Sequence, residues 1–126
     1  MGYTRYWTRT DEPITQEFVD VVNKIIADAR NKGITICGWD GTGEPEVTLE
    51  RIALNGTEEN DLGHESFVLT NEAEWDCCKT ACKPYDYVVR EILKAGKEMN
   101  IVKDVNDDGD FEAIVSDKDY IKGGWW

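Results

Sequence analysis

The chain has 126 residues, 40% of them hydrophobic and 32% charged, and its 26 acids against 14 bases give a formal charge of −12. That length can bury a core without a disulfide or metal to hold it, and no apolar run reaches the length of a membrane span or signal-peptide core. The negative field repels phosphates and lipid headgroups, so nucleic acid and membranes are disfavoured as partners, while a small molecule or a basic protein remains.

Residues 3–9 (YTRYWTR) mix aromatic and β-branched side chains and read as a first strand. Thr10 or Asp11 then offers an N-cap, with Glu12 and Pro13 in the first turn of a helix. Phe18, Val21, Val22, Ile25, Ile26 and Ala29 recur at the three-and-four spacing of one buried stripe, and Gly33 stands where a helix terminator belongs. Residues 34–38 (ITICG) predict a short strand that runs into the glycine loop 38–45 (GWDGTGEP).

Strand pieces follow at 47–49 and 52–54, with Asn55-Gly56 as a turn, a polar loop over 57–65 and a strand over 66–70 (SFVLT). Pro84 opens a second helix whose stripe is Val88, Val89, Ile92, Leu93 and Met99. Residues 101–105 predict a strand, 106–109 (NDDG) a turn, and 111–115 a strand or short helix before the closing Trp125-Trp126. The order predicts an α+β fold, a single domain over 1–126, with two amphipathic helices packed on a small, mostly antiparallel sheet.

The glycine loop suggests a phosphate cradle, but it lacks the Lys-Ser/Thr of a P-loop and leads into Pro45 and a strand, which favours a tight turn. Asp104, Asn106, Asp108 and Gly109 match the first half of a calcium loop, yet its twelfth position is Val115 where a bidentate Glu belongs. Cys77, Cys78 and Cys82 do not have the C-x-x-C spacing of zinc sites, and with Cys37 they read as reduced thiols. Neither a metal nor a cofactor is expected. Tyr3, Tyr6, Trp7, Trp39, Trp75, Tyr85 and Tyr87 lie beside polar stretches, a composition suited to holding a flat ring while charged groups fix its edge.

The motifs GYTRYW at 2–7, GTGEP at 41–45, NG at 55–56, ESF at 65–67, CKTACKPYD at 78–86 and the Asp108-Gly109 turn together resemble a family of small uncharacterised phage and bacterial proteins. The resemblance spans most of the chain and implies a set of shared polar positions, without a reaction. Many of those relatives carry His where this chain has Arg5. A phage setting implies counter-defence, in the cytoplasm of the infected cell.

The expected function is small-molecule binding, including a sponge for a nucleotide-derived immune signal. Arg5, Lys79 and Lys83 would meet phosphates, Tyr3, Tyr6 and Trp7 would stack a base or sugar, and Glu44, Asn55 and Asp86 would read hydroxyls or ring nitrogens. Thr42, Gly43, Thr80 and Tyr85 complete that ligand set. The alternative is an acidic inhibitor of a host nuclease or CRISPR effector, and a homo-oligomer fits either role. A small carboxylate hydrolase built on Asp40, Glu44, Glu65 or Asp86 ranks third, since the chain has no nucleophile elbow and one histidine.

Overall fold

Aromatic and β-branched residues make β1 (Thr4–Arg9) the central strand of a three-stranded antiparallel sheet, flanked by β5 (Trp75–Lys79) and β6 (Val102–Asp107) in a computed structural model that describes residues 3–107. The expected turn through Gly109, the segment 111–115, the end of the calcium-loop pattern and Trp125-Trp126 lie outside the described residues. A second antiparallel sheet holds β2 (Glu46–Val47), β3 (Arg51–Leu54) and β4 (Phe67–Thr70), with β3 in the middle. The fold is α+β as the sequence predicts, with two small sheets where one was expected.

Helix α1 (Gln16–Asn31) begins later than the Thr10 or Asp11 cap implies. The Thr10 hydroxyl is taken by the Asn100 carbonyl at 2.7 Å, and Thr15 caps instead, its Oγ1 accepting the Phe18 N–H at 3.1 Å. Gly33 does end the helix: its φ is +92°, its N–H reaches the Arg30 carbonyl, and the Ile34 N–H reaches Ala29, the paired bonds of a Schellman motif. Helix α2 (Asp86–Glu98) buries Val88, Val89, Ile92 and Leu93 as its spacing predicts, with Met99 partly buried.

The core forms where both helices meet the inner faces of the sheets. Phe18, Val22 and Ala29 of α1 are fully buried, as are Ile52, Leu54, Phe67 and Leu69 at alternate positions of β3 and β4. Trp7 from β1 packs on Phe67 with ring centroids 5.1 Å apart. Residues 34–38 run extended but join the second sheet only through the Cys37–Asn55 bridge, and β5 is an element the sequence does not announce. Arg9, buried at the end of β1, donates Nε to the Thr70 carbonyl at 2.9 Å and Nη2 to Glu12 O and Asn71 Oδ1, and also bonds the Ile101 carbonyl. One guanidinium thereby ties four chain segments together. No helix among the described residues is long and apolar enough to cross a membrane.

Candidate functional site

The motif at 2–7 and the motif at 78–86 meet in the interior. Arg5, on the buried face of β1, is 2% exposed and donates Nε and Nη2 to the two carboxylate oxygens of Asp86, at 2.8 and 2.9 Å. Asp86 is fully buried at the start of α2 and also accepts the Thr80 hydroxyl at 2.6 Å. Tyr3 lies over the Arg5 guanidinium at 5.3 Å. Burial raises the Tyr3 phenol above its ordinary pKa, opposed by Arg5 and reinforced by Asp107.

Tyr85, also fully buried, donates to the Glu65 carbonyl at 2.5 Å, and Lys83 reaches the carbonyl and carboxylate of Asp61 at 2.7 and 3.2 Å. The turn that delivers these groups is strained. Ala81 and Cys82 both have positive φ, +53° and +58°, and the N–H groups of Thr80 and Ala81 converge on the Tyr3 carbonyl.

Arg5, Thr80 and Asp86 therefore bond one another, with the Tyr3 ring over Arg5, while Lys83 turns to Asp61 and Tyr85 to the Glu65 carbonyl. A charged pair buried this way answers its own desolvation with its own hydrogen bonds. The other expected ligand residues stand elsewhere. Trp7 is in the core, while Tyr6 is half-buried on the outer side of β1, stacked on Trp75 at 6.2 Å. Lys79 is exposed at the end of β5. Gly43 and Glu44 line a cleft of about 440 Å³ with Arg30, Thr35 and Cys37, where Glu44 pairs with Arg30 at 3.2 Å.

Asn55 has a positioning role. Its Nδ2 donates to the carbonyls of Trp39 at 3.2 Å and His64 at 2.9 Å, and its Oδ1 accepts the N–H groups of Gly56 and His64. Gly56 admits no side chain, because a Cβ there would stand 2.2 Å from the Leu62 carbonyl oxygen. Ser66 donates a second bond to the Trp39 carbonyl. In the glycine loop, Gly38 N–H bonds Thr42 O, Gly41 N–H bonds Gly38 O, and the Thr42 N–H and hydroxyl both bond Asp40 Oδ1. Those Thr42 bonds hold the Asp40 carboxyl below its ordinary pKa. The loop closes on itself and presents the Trp39 indole, 62% exposed, to solvent.

That indole lines a cleft of about 360 Å³ with Arg51, Ala53 and Val68. Ala53 and Val68 are cross-strand partners, offset by one residue from the inward-facing Ile52 and Leu69, so they form the outer face of the second sheet. Glu46 is in register with Ala53 on the other side, and its Oε1 accepts both Nε and Nη2 of Arg51, at 3.1 and 2.6 Å. The sequence marked Trp39 among the aromatics, but nothing in its spacing marked Arg51, Ala53 or Val68.

The carboxylates weighed for hydrolysis are dispersed. Asp40 binds its own loop, Glu44 faces Arg30, Glu65 accepts the Lys79 N–H, and Asp86 holds Arg5. Burial raises the thiols of Cys77 and Cys78 above their ordinary pKa and pushes Cys82 up to about 11, opposite to the shift that activates a nucleophile. Among the described residues no group of three or more His, Cys, Asp or Glu side chains is arranged to hold a metal ion. No family model, curated protein or solved structure matches the chain.

Proposed function

We propose that this protein binds a small planar molecule of the nucleotide class in the cleft between Trp39 and Arg51, holding it without transforming it. The observation that carries this reading is the exposed Trp39 indole, whose backbone carbonyl is fixed by Asn55 and Ser66 beside a depression floored by Ala53. Anchoring the Trp39 backbone leaves less of the loop to order when the indole stacks a ring, and base–aromatic stacking is worth roughly 1–3 kcal/mol. The cleft volume of about 360 Å³ falls at the lower end of the roughly 300–1,000 Å³ of small-molecule sites. This moves the ligand site away from Arg5 and Asp86, which occupy each other. In the phage setting that the motifs suggest, such a protein acts as a sponge for a host signal.

Native mass spectrometry of the protein after incubation with a bacterial small-molecule extract tests the reading. Wild type should carry a discrete small adduct that Ala53→Leu, which fills the cleft from the outer face of the sheet, lacks. An adduct retained by a folded Ala53→Leu protein, or none on wild type, would sink it.

A second reading rests on the other sheet. Tyr6 and Trp75 stack on its outer side, where Trp75 is 59% exposed, and an aromatic pair on so acidic a protein suits a basic protein partner. Such a complex should weaken steeply with added salt, and insensitivity to salt would count against it.

A further inference from the structure

We infer that the outer face of the first sheet seats an arginine side chain of a basic protein partner, an inference that rests on the second reading above and names what that partner presents. The register of three strands builds the seat. Trp75 of β5 and Asp104 of β6 are both Cα partners of Thr8 in β1, so an indole, a hydroxyl and a carboxylate stand in one row across the sheet. The row faces outward, because the residues that alternate with it turn in: Trp7 lies in the core, Val105 packs against it, and Asp107 meets Arg5 at 3.8 Å. Trp75 and Asp104 are exposed, Thr8 is half-buried, and Tyr6, one pair along β1, stacks on the Trp75 ring.

Among the described residues the Thr8 hydroxyl makes no hydrogen bond, and Asp104 forms no ion pair even with Lys103 beside it in the chain. Lys79, the cation on the same face of β5, stands four residues from Trp75, about 13 Å along the strand. Neighbouring strands lie about 4.8 Å apart, so the Trp75 and Asp104 backbones are separated by about 10 Å with only the short Thr8 between them. A guanidinium suits that gap. Its flat face lies against an aromatic ring while the N–H groups in its plane reach a carboxylate and a hydroxyl. An ammonium is a compact, strongly hydrated charge that would give up one contact to make the other. An aliphatic side chain would leave Asp104 without an answer, and an acidic one is repelled by a protein of charge −12.

The experiment follows the Trp75 indole N–H and the Thr8 amide by NMR at low salt, the indole assigned with Trp75→Phe. The probes are an unstructured peptide of arginine–glycine repeats and the same peptide with lysine or citrulline in place of arginine. The arginine peptide should shift both signals and bind more tightly than the lysine peptide, and the citrulline peptide, which keeps the shape and loses the charge, should leave them still. Asp104→Asn and Trp75→Leu should each weaken the arginine peptide roughly two- to fivefold, the measure of one exposed ion pair or cation–π contact. Asp28→Asn, which removes an exposed carboxylate of α1, should have a smaller effect. Equal binding of the arginine and lysine peptides, or equal losses from Asp104→Asn and Asp28→Asn, would overturn the arginine seat and leave the face as a general surface for a basic partner. If no peptide moves the Trp75 signal, the second reading fails along with it.

Discussion

Arg5 and Asp86, 81 positions apart in the chain, meet as a two-pronged ion pair that is almost wholly shut off from solvent. It joins the middle strand of the first sheet to the first turn of α2, and Thr80 adds a third bond to the same carboxylate. Removing Arg5 takes its opposite charge from the buried Asp86, and removing Asp86 leaves Arg5 with the longer contact to Asp107 at 3.8 Å in place of a two-pronged pair, a loss of about 3–5 kcal/mol. Arg5→Met and Asp86→Leu should each lower the free energy of urea unfolding by about that much, and the double variant should recover most of it. A double variant no more stable than the singles would show that the pair has a role its charges alone do not explain.

The turn between β5 and α2 holds two successive non-glycine residues, Ala81 and Cys82, in left-handed backbone conformation. Each such residue costs roughly 1–2 kcal/mol, and a glycine removes that strain at an entropic cost of roughly 0.5–1 kcal/mol in the unfolded chain. Ala81→Gly should therefore raise stability by about 0.5–1 kcal/mol, read as a higher urea midpoint at unchanged slope. A lower midpoint would mean that the Ala81 methyl contributes more through its contacts than the strain it imposes.

Five acidic groups share one direction of shift, Cys77 among them. Burial raises the pKa values of Tyr3, Cys78 and Tyr85 above their ordinary values and brings Cys82 from 9.0 to about 11. Each folded-state pKa exceeds the unfolded one, so above pH 9 the unfolded chain has released protons that the folded protein still holds. Stability must then fall as pH rises, and for Cys82 the loss accrues between about pH 9 and 11. Unfolding midpoints measured from pH 7 to 11 should be level at first and then decline. Cys82→Ser should soften the decline across that window, and an unchanged slope would remove Cys82 from the account.

The apolar stripe of α1, its Gly33 terminator and the stripe of α2 were readable because each is a local spacing that packing reinforces. The start of α1 was not: the sequence reading put the cap at Thr10 or Asp11, whereas the Asn100 carbonyl takes the Thr10 hydroxyl and Thr15 caps the helix. Strand β5 (WDCCK) has little β-propensity of its own and is held by its register against β1. Arg5, Thr80 and Asp86 stand in separate motifs of the sequence and converge in the fold, a meeting that spacing alone does not reveal. Which way they face was not legible, since a charged residue in a sequence looks the same whether it meets water, a ligand or an opposite charge far along the chain. Arg51 and Ala53 left no mark at all, because a cleft on a sheet face depends on which neighbour is small.

Asn55 offers the sharpest separation between the scaffold and the cleft. Its Nδ2 bridges the Trp39 and His64 carbonyls, while its Oδ1 takes two N–H groups. Asn55→Asp keeps the shape and both accepted bonds but turns a carboxylate oxygen toward two carbonyls, at a buried position where an unpaired charge is costly. Stability should drop by about 2–4 kcal/mol at neutral pH, and part of the loss should return below about pH 4, where protonation makes the group a donor again. The Gly38 and Gly41 amides, which are hydrogen-bonded within the loop, should exchange hydrogen faster in the variant than in wild type even under folding conditions, because the loop has lost one of its anchors. Trp39→Ala, by contrast, removes an exposed side chain and should leave stability within about 0.5 kcal/mol of wild type. If Asn55→Asp were as stable as wild type, the carbonyl bridge would not be what anchors the Trp39 backbone, and the order of the loop would need another source.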